Sequence, residues 1–335
     1  MNRSIGSGAP VRGWRLAVDA VGVLVTGALL GAILDLVLAP RLGPVRLGLL
    51  IDAGTFALAA GSLALVVGTV DRLSLGHAAF VAVGAYVAAV IGYYVHVIAL
   101  GSAAHLGGEL GPTAGIGALG ALAGALVAGA MAVPVGVVSV RSHPAVLPVV
   151  TLLLDLALVR GLRATHDVLA DPGTIRTASV HTLATSLGGP VGFTSAPFTT
   201  TLLWVCIGLA MLFAAASVVT RRPPPTSLAG RTAVFAVGCA LAGLAGGMMA
   251  LHVGFVQRPA TFGLATSVEL LAAALALGWG SVTGATVAGV ALVLALEVPP
   301  IAAHPTVVFG AVALAAIALR VRGHLPTWEP WRRAG

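Results

Sequence analysis

Apolar residues run through this chain in long blocks, broken by short polar or Gly/Pro-bearing joints, with little strict alternation and few one-sided stripes. A helix needs about 20 apolar residues to cross roughly 30 Å of hydrocarbon. On that measure the blocks predict ten spans. They are residues 16–38, 47–70, a third that opens within 71–86 and continues to 98, and 113–140. A fifth follows Arg141-Ser142-His143-Pro144 and ends at 158; the rest are 198–219, 232–253, 264–277, 282–296 and 301–319. Residues 160–197 are polar enough to leave the bilayer, with Asp171-Pro172-Gly173 as a turn. Three prolines, Pro223 to Pro225, stiffen the linker 220–231 after Arg221 and Arg222. The fold class expected is all-α: one polytopic transmembrane domain over 1–335, with a cytoplasmic N-terminal segment 1–15 and a cytoplasmic tail 320–335.

Composition sharpens this picture. The chain of 335 residues is 58% hydrophobic and 9% charged, with a mean hydropathy of +1.04, too little polar surface for a water-soluble domain of that size. Its eighteen basic residues are all arginine, so a Walker A motif, which needs a lysine, is excluded. Any ATP-driven work has to come from a partner, and no cofactor is expected on this chain. The net charge of +7 carries no basic stripe or RNA-binding signature; the arginines sit between apolar blocks, as positive-inside topology demands. With the N-terminus inside, twelve arginines fall inside and six outside. Arginine to the exclusion of lysine suits a GC-rich genome and a bacterial plasma membrane. Cys206 and Cys239 lie in separate apolar blocks and suggest neither a disulfide nor a metal site. No Ser-His-acid triad or metal-ligand spacing emerges, and nothing argues for an enzyme.

The chemistry gathers at a few polar positions. Asp71 to Tyr86, DRLSLGHAAFVAVGAY, opens a span with Ser74, Gly76 and His77, poor choices for filling lipid. His77 reads equally as a solute-contacting group or as a packing histidine bonded to a neighbour. Ser74 and Gly76 read as residues that let a helix break or approach another, which would present backbone amides to an anionic group. Glu269, near Ser267, and Asp155 are carboxylates inside spans. Each is a functional hypothesis by default and a structural ion pair otherwise. Gly243 and Gly246 suit close helix crossing.

Three stretches together carry a resemblance. Leu73-Ser-Leu-Gly-His-Ala-Ala-Phe80 with Gly84-Ala-Tyr86 is the first. The second is Phe235, Ala242-Gly-Leu-Ala-Gly246, Gly254-Phe255, Pro259, Phe262 and Ser267-Val-Glu269, and the third is Gly280-Ser-Val-Thr-Gly284. In this order they resemble the LivM-type inner-membrane permeases of ATP-driven branched-chain amino acid importers, over roughly residues 47–296. The resemblance implies a type II importer bundle and a solute among branched-chain or related small amino acids and amides. It also implies a second permease, two cytoplasmic ATPase subunits and an external substrate-binding protein. Ser74, Gly76, His77, Phe80, Tyr86, Ser267 and Glu269 would then line the solute path. Gly84, Gly243, Gly246, Gly280 and Gly284 would pack helices. Arg221, Arg222 and Arg231 would be the residues available for ATPase coupling. The family's coupling helix between the sixth and seventh spans is replaced here by the proline-bearing linker. An ATP-independent secondary transporter or channel using Asp155 or Glu269 for ion coupling, or a homologue with reduced coupling, are the alternatives.

Overall fold

Helices that are apolar all round have to be surrounded, and those apolar only outward sit at the rim. The computed structural model sorts the chain in this way. It describes residues 11–100, 112–194, 201–220, 227–256 and 258–322. Arg221 and Arg222, residues 1–10 and the tail beyond 322 lie outside the described residues.

Helix α1 (Val11–Ile33) continues through a π turn at Leu34–Leu38 and a short 3-10 turn to Arg41. Helix α2 (Pro44–Val70) ends on Asp71, whose φ of 53° stops the helix in the left-handed region while its amide still donates to the Val67 carbonyl. Helix α3 (Ala78–Val90) passes through a π turn at Ile91–Val95 into α4 (His96–Leu100). Helix α5 (Pro112–Arg141) runs through Pro134. Then come α6 (Val146–Arg163), the short α7 (Pro172–Thr177) and α8 (Val180–Thr185), and α9 (Thr201–Thr220). Helices α7 and α8 open on Asp171 and Ser179, whose side chains accept from the amides of Thr174 and Thr182. The last part is α10 (Leu228–Val253), α11 (Leu264–Ala276), α12 (Val282–Ala295), α13 (Pro299–Ala302) and α14 (Pro305–Val321). Two-residue strands β1 (Phe193–Thr194) and β2 (Phe255–Val256) pair antiparallel and are the one extended pairing among the described residues.

Helices α2, α3 and α10 form the centre, with α5, α9, α11 and α12 around them and α1 laid against α9. Seven helical stretches are long and apolar enough to cross a membrane: Leu16–Arg41, Pro44–Val70, Ala78–Ala99, Gly115–Ser139, Thr201–Thr220, Leu228–Val253 and Pro259–Ala276. Of the ten predicted spans, these cover seven. Helices α12 and α14 are apolar but shorter, and α6 carries Asp155, Arg160 and Arg163. The rim is apolar as well: Leu29, Leu36, Leu126, Leu153 and Leu314 all stand outward. A surface of that kind belongs against lipid rather than water. The chain is an all-α helical bundle, consistent with a multi-pass membrane protein.

Backbone contact at glycines holds the centre together. A Cβ on Gly84 of α3 would lie 1.9 Å from the Gly243 carbonyl oxygen of α10, and one on Gly124 of α5 would lie 2.5 Å from the Gly84 oxygen. Three helices therefore meet with no side chain between them. Gly246 meets Val81 in the same seam. At the far end of α2, Gly280 (φ +73°) puts its backbone against Gly68, and a Cβ there would come within 2.2 Å of the Gly68 Cα. Gly284 differs, for it faces Leu277 and the Ser281 hydroxyl of its own turn, and its amide donates to that hydroxyl.

Near α4 the side chains also tie the polar stretch down. The Tyr94 hydroxyl donates to the Ser186 carbonyl (2.8 Å) and accepts from the Leu169 amide (3.2 Å), while its ring meets Phe193 edge-on.

Replacing Gly84 by alanine forces backbone apart at this seam, and overpacking of this kind costs about 1–3 kcal/mol. Gly22 of α1, with open space around it, is the control. Thermal unfolding of the purified protein in detergent should place Gly84→Ala well below the parent and Gly22→Ala at or slightly above it.

Candidate functional site

The segment after the exposed Asp71 turns back into the bundle, where Ser74, Gly76 and His77 are buried. Ser62 stands about 14 Å back along α2 from Asp71 at roughly 1.5 Å per residue, yet its hydroxyl oxygen is 3.0 Å from His77 Nε2. After α2 the chain therefore turns and climbs back beside it, so that α3 starts part-way up the bundle. Irregular backbone at such depth needs partners that water cannot supply. The Gly76 amide donates to Thr151 Oγ1 of α6 (3.3 Å), and the Ala78 amide donates to Ser267 Oγ of α11 (3.2 Å). Gly76 can be nothing larger, since a Cβ would fall 1.9 Å from the Thr151 carbonyl oxygen. Below the junction, Arg72 donates to the Ser139 carbonyl of α5.

His77 has no accessible surface. Ser62 Oγ donates its hydrogen to the Ala59 carbonyl (2.7 Å), so it accepts from a protonated Nε2 and leaves Nδ1 as a bare acceptor. Nδ1 and the buried Ser74 hydroxyl have no hydrogen-bond partner among the described residues. Phe80, buried, packs between His77 (ring centroids 5.9 Å apart) and Phe235 (5.8 Å). Asp155 lies on α6 one turn beyond Thr151. It is 0% exposed, and neither of its oxygens has a hydrogen-bond partner among the described residues.

A second polar place lies toward the other end of α2. A cavity of about 400 Å³ opens between α2, α3, α10, α11 and α12 and the Pro259–Phe262 turn. Asp52, Glu269 and Glu297 line it, with Thr55 and Thr266, while Phe56, Phe262, Met249 and Leu270 make much of the remaining wall. No arginine or histidine is among its lining residues. His252, at the end of α10, interacts electrostatically with Asp52 and comes close to Gly48. Three carboxylates with no cation inside the wall make a field that attracts positive charge.

The sequence-derived candidates thus divide. Ser74, Gly76, His77, Phe80 and Ser267 gather at the start of α3 as one buried junction. Glu269 alone lines the cavity. Tyr86 is buried behind it, its ring 6.4 Å from that of Phe262. Ser267 and Glu269 sit on the same helix but face the two different places. Arg231 is in the first turn of α10, half-buried.

Sequence reasoning passed over Asp52, Ser62 and Thr151. Asp52 had a readable signal, a carboxylate inside an apolar block. Glu297 stands one residue past the predicted span 282–296. Ser62 and Thr151 had no signal, because hydroxyls in helices ordinarily bond their own preceding turn.

No family model, curated protein or solved structure matches the chain.

Ser267→Ala removes the acceptor of a buried amide, a loss of about 1–3 kcal/mol. Ser267→Thr keeps the hydroxyl and should recover most of it. Thermal unfolding of both variants beside the parent tests this, and equal midpoints for Ala and Thr would show that the cap does nothing.

Proposed function

We propose that the chain is a membrane permease subunit of an ATP-driven importer for branched-chain or related small amino acids or amides. The observation that carries this reading is the cavity at Asp52, Glu269 and Glu297. Carboxylates within an otherwise largely apolar wall suit a small solute with an ammonium or amide head and an aliphatic body. The LivM-type resemblance of the stretches around His77, Gly243 and Gly280 supports the family. In this proposal a second permease completes the path, two ATPase subunits supply the energy, and an external binding protein delivers the solute. Helices α6, α12 and α14 join the seven longer ones to make ten crossings, with both termini cytoplasmic in a bacterial plasma membrane. That orientation turns the cavity outward and Arg72, Arg141 and Arg231 inward.

The solute is held in the outward cavity first. ATP binding on the partners then shifts the bundle between outward-open and inward-open packings, and the buried junction at the start of α3 lies along the way. Arg231, with Arg221 and Arg222 in the linker, is what this subunit offers an ATPase.

A second reading, an ATP-independent transporter or channel, is favoured by Asp155. A carboxylate buried without a partner is costly while charged, so binding and releasing a proton or cation there would be a natural coupling step.

Uptake of radiolabelled leucine into liposomes separates the two. The importer reading expects uptake only when the ATPase and binding-protein subunits are co-reconstituted with ATP. Gradient-driven uptake by the chain alone overturns it and selects the second reading.

In the working system, Glu269→Gln should cut uptake about tenfold or more, the scale of a lost hydrogen bond to a charged group. Asp155→Asn should leave ATP-driven uptake near the parent level but abolish gradient-driven uptake.

A further inference from the structure

The hydrogen bonds around the acidic cavity say more about its occupant than the charge alone. Five polar side chains line it: Asp52, Glu269, Glu297, Thr55 and Thr266. A threonine hydroxyl can donate or accept, but here each hydrogen is committed to a backbone carbonyl. Thr55 donates to the Asp52 carbonyl (3.0 Å), and Thr266 donates to the Thr261 carbonyl. A hydroxyl so engaged has only lone pairs left to offer, and an ionised carboxylate accepts without donating. Every polar side chain of the lining is therefore an acceptor.

The donors nearby stand apart from it. His252 interacts with Asp52 but is not part of the lining. The first turn of α11 offers backbone amides, but Leu264 and Ala265 are exposed and lie outside the lining, so a carboxylate bound there would sit at the rim. A free amino acid carries its ammonium and its carboxylate on one carbon. Seating the ammonium at Glu269 brings the carboxylate into the same acceptor-only space, where it meets neither a donor nor a cation. A charged group desolvated without partners weakens binding. Masking the carboxyl as an amide, or removing it, lifts that loss and leaves a net positive charge facing three carboxylates. Phe56, Phe262, Met249 and Leu270 receive the aliphatic body in either case.

We infer that the cavity selects a branched aliphatic amine with no free carboxylate, an α-amino amide or a simple alkylamine, over the zwitterionic amino acid. The inference rests on the reading of this cavity as the solute site and narrows the solute class within it.

The test is calorimetric titration of the full chain, purified in detergent at neutral pH, with isoamylamine, leucinamide and leucine. The three share one isobutyl group and differ in what stands beside the ammonium: hydrogen, a carboxamide or a carboxylate. Isoamylamine and leucinamide should each bind about tenfold or more tightly than leucine, the scale of a hydrogen bond to a charged group left unmade. Glu269→Gln removes a negative charge and supplies a donor, so it should weaken amine binding by a similar factor and narrow the gap to leucine. If that variant does not fold, Glu297→Gln serves instead. Leucine binding as tightly as isoamylamine, with both weakened in Glu269→Gln, overturns the selection while the cavity stands as the solute site. Amine binding that both variants leave unchanged, or no binding of any of the three probes, overturns the cavity reading and the inference with it.

Discussion

A peptide N–H inside an apolar bundle has to find an acceptor, and the start of α3 is where this chain meets that requirement under the hardest terms. A helix that begins at the surface can give its first amides to water. One that begins part-way up cannot, so the acceptors come from neighbouring helices: Thr151 of α6 for Gly76 and Ser267 of α11 for Ala78. Much else follows from these two hydroxyls. They fix α6 and α11 against α3. They also hold His77 where its Nε2 reaches Ser62, and they leave Glu269, two residues beyond Ser267, on the side of α11 that faces the cavity.

The glycine seam serves the same arrangement. Thr151 and Ser267 can reach their amides only if α3, α5 and α10 lie close enough to draw the surrounding helices in. Backbone contact at Gly84, Gly124 and Gly243 provides that closeness, at the cost of the conformational entropy that glycine loses in a helix. The rim can then be coarse and apolar, since lipid fills whatever the side chains leave.

Legibility in the sequence follows the range of the interaction. Apolar blocks are local in sequence, so α2, α5, α9 and α10 could be read to within a few residues of their ends. The break at Asp71–His77 was legible as unusual because its residue types fit lipid badly. What it does was not, because its partners Thr151 and Ser267 lie on other helices and a hydroxyl carries no mark of which amide it will meet. Glu269 was readable as a carboxylate in an apolar block. Asp52 carries the same mark, but its role appears only when α2, α11 and α12 are brought round one cavity. His77 stood evenly between packing and solute contact. In the fold it is closed off from the cavity, and its Nε2 is already engaged with Ser62.

The Tyr94 hydroxyl gives the arrangement a mechanical sense. It grips the polar stretch at two backbone points, the Leu169 amide and the Ser186 carbonyl, from the far end of the same helical run whose first amide is held by Ser267. The run through α3 is thus a strut pinned at both ends, one pin buried and one beside the polar segment. The buried junction and the polar segment are therefore joined through one continuous helical run, with hydrogen bonds to other parts of the chain at each end.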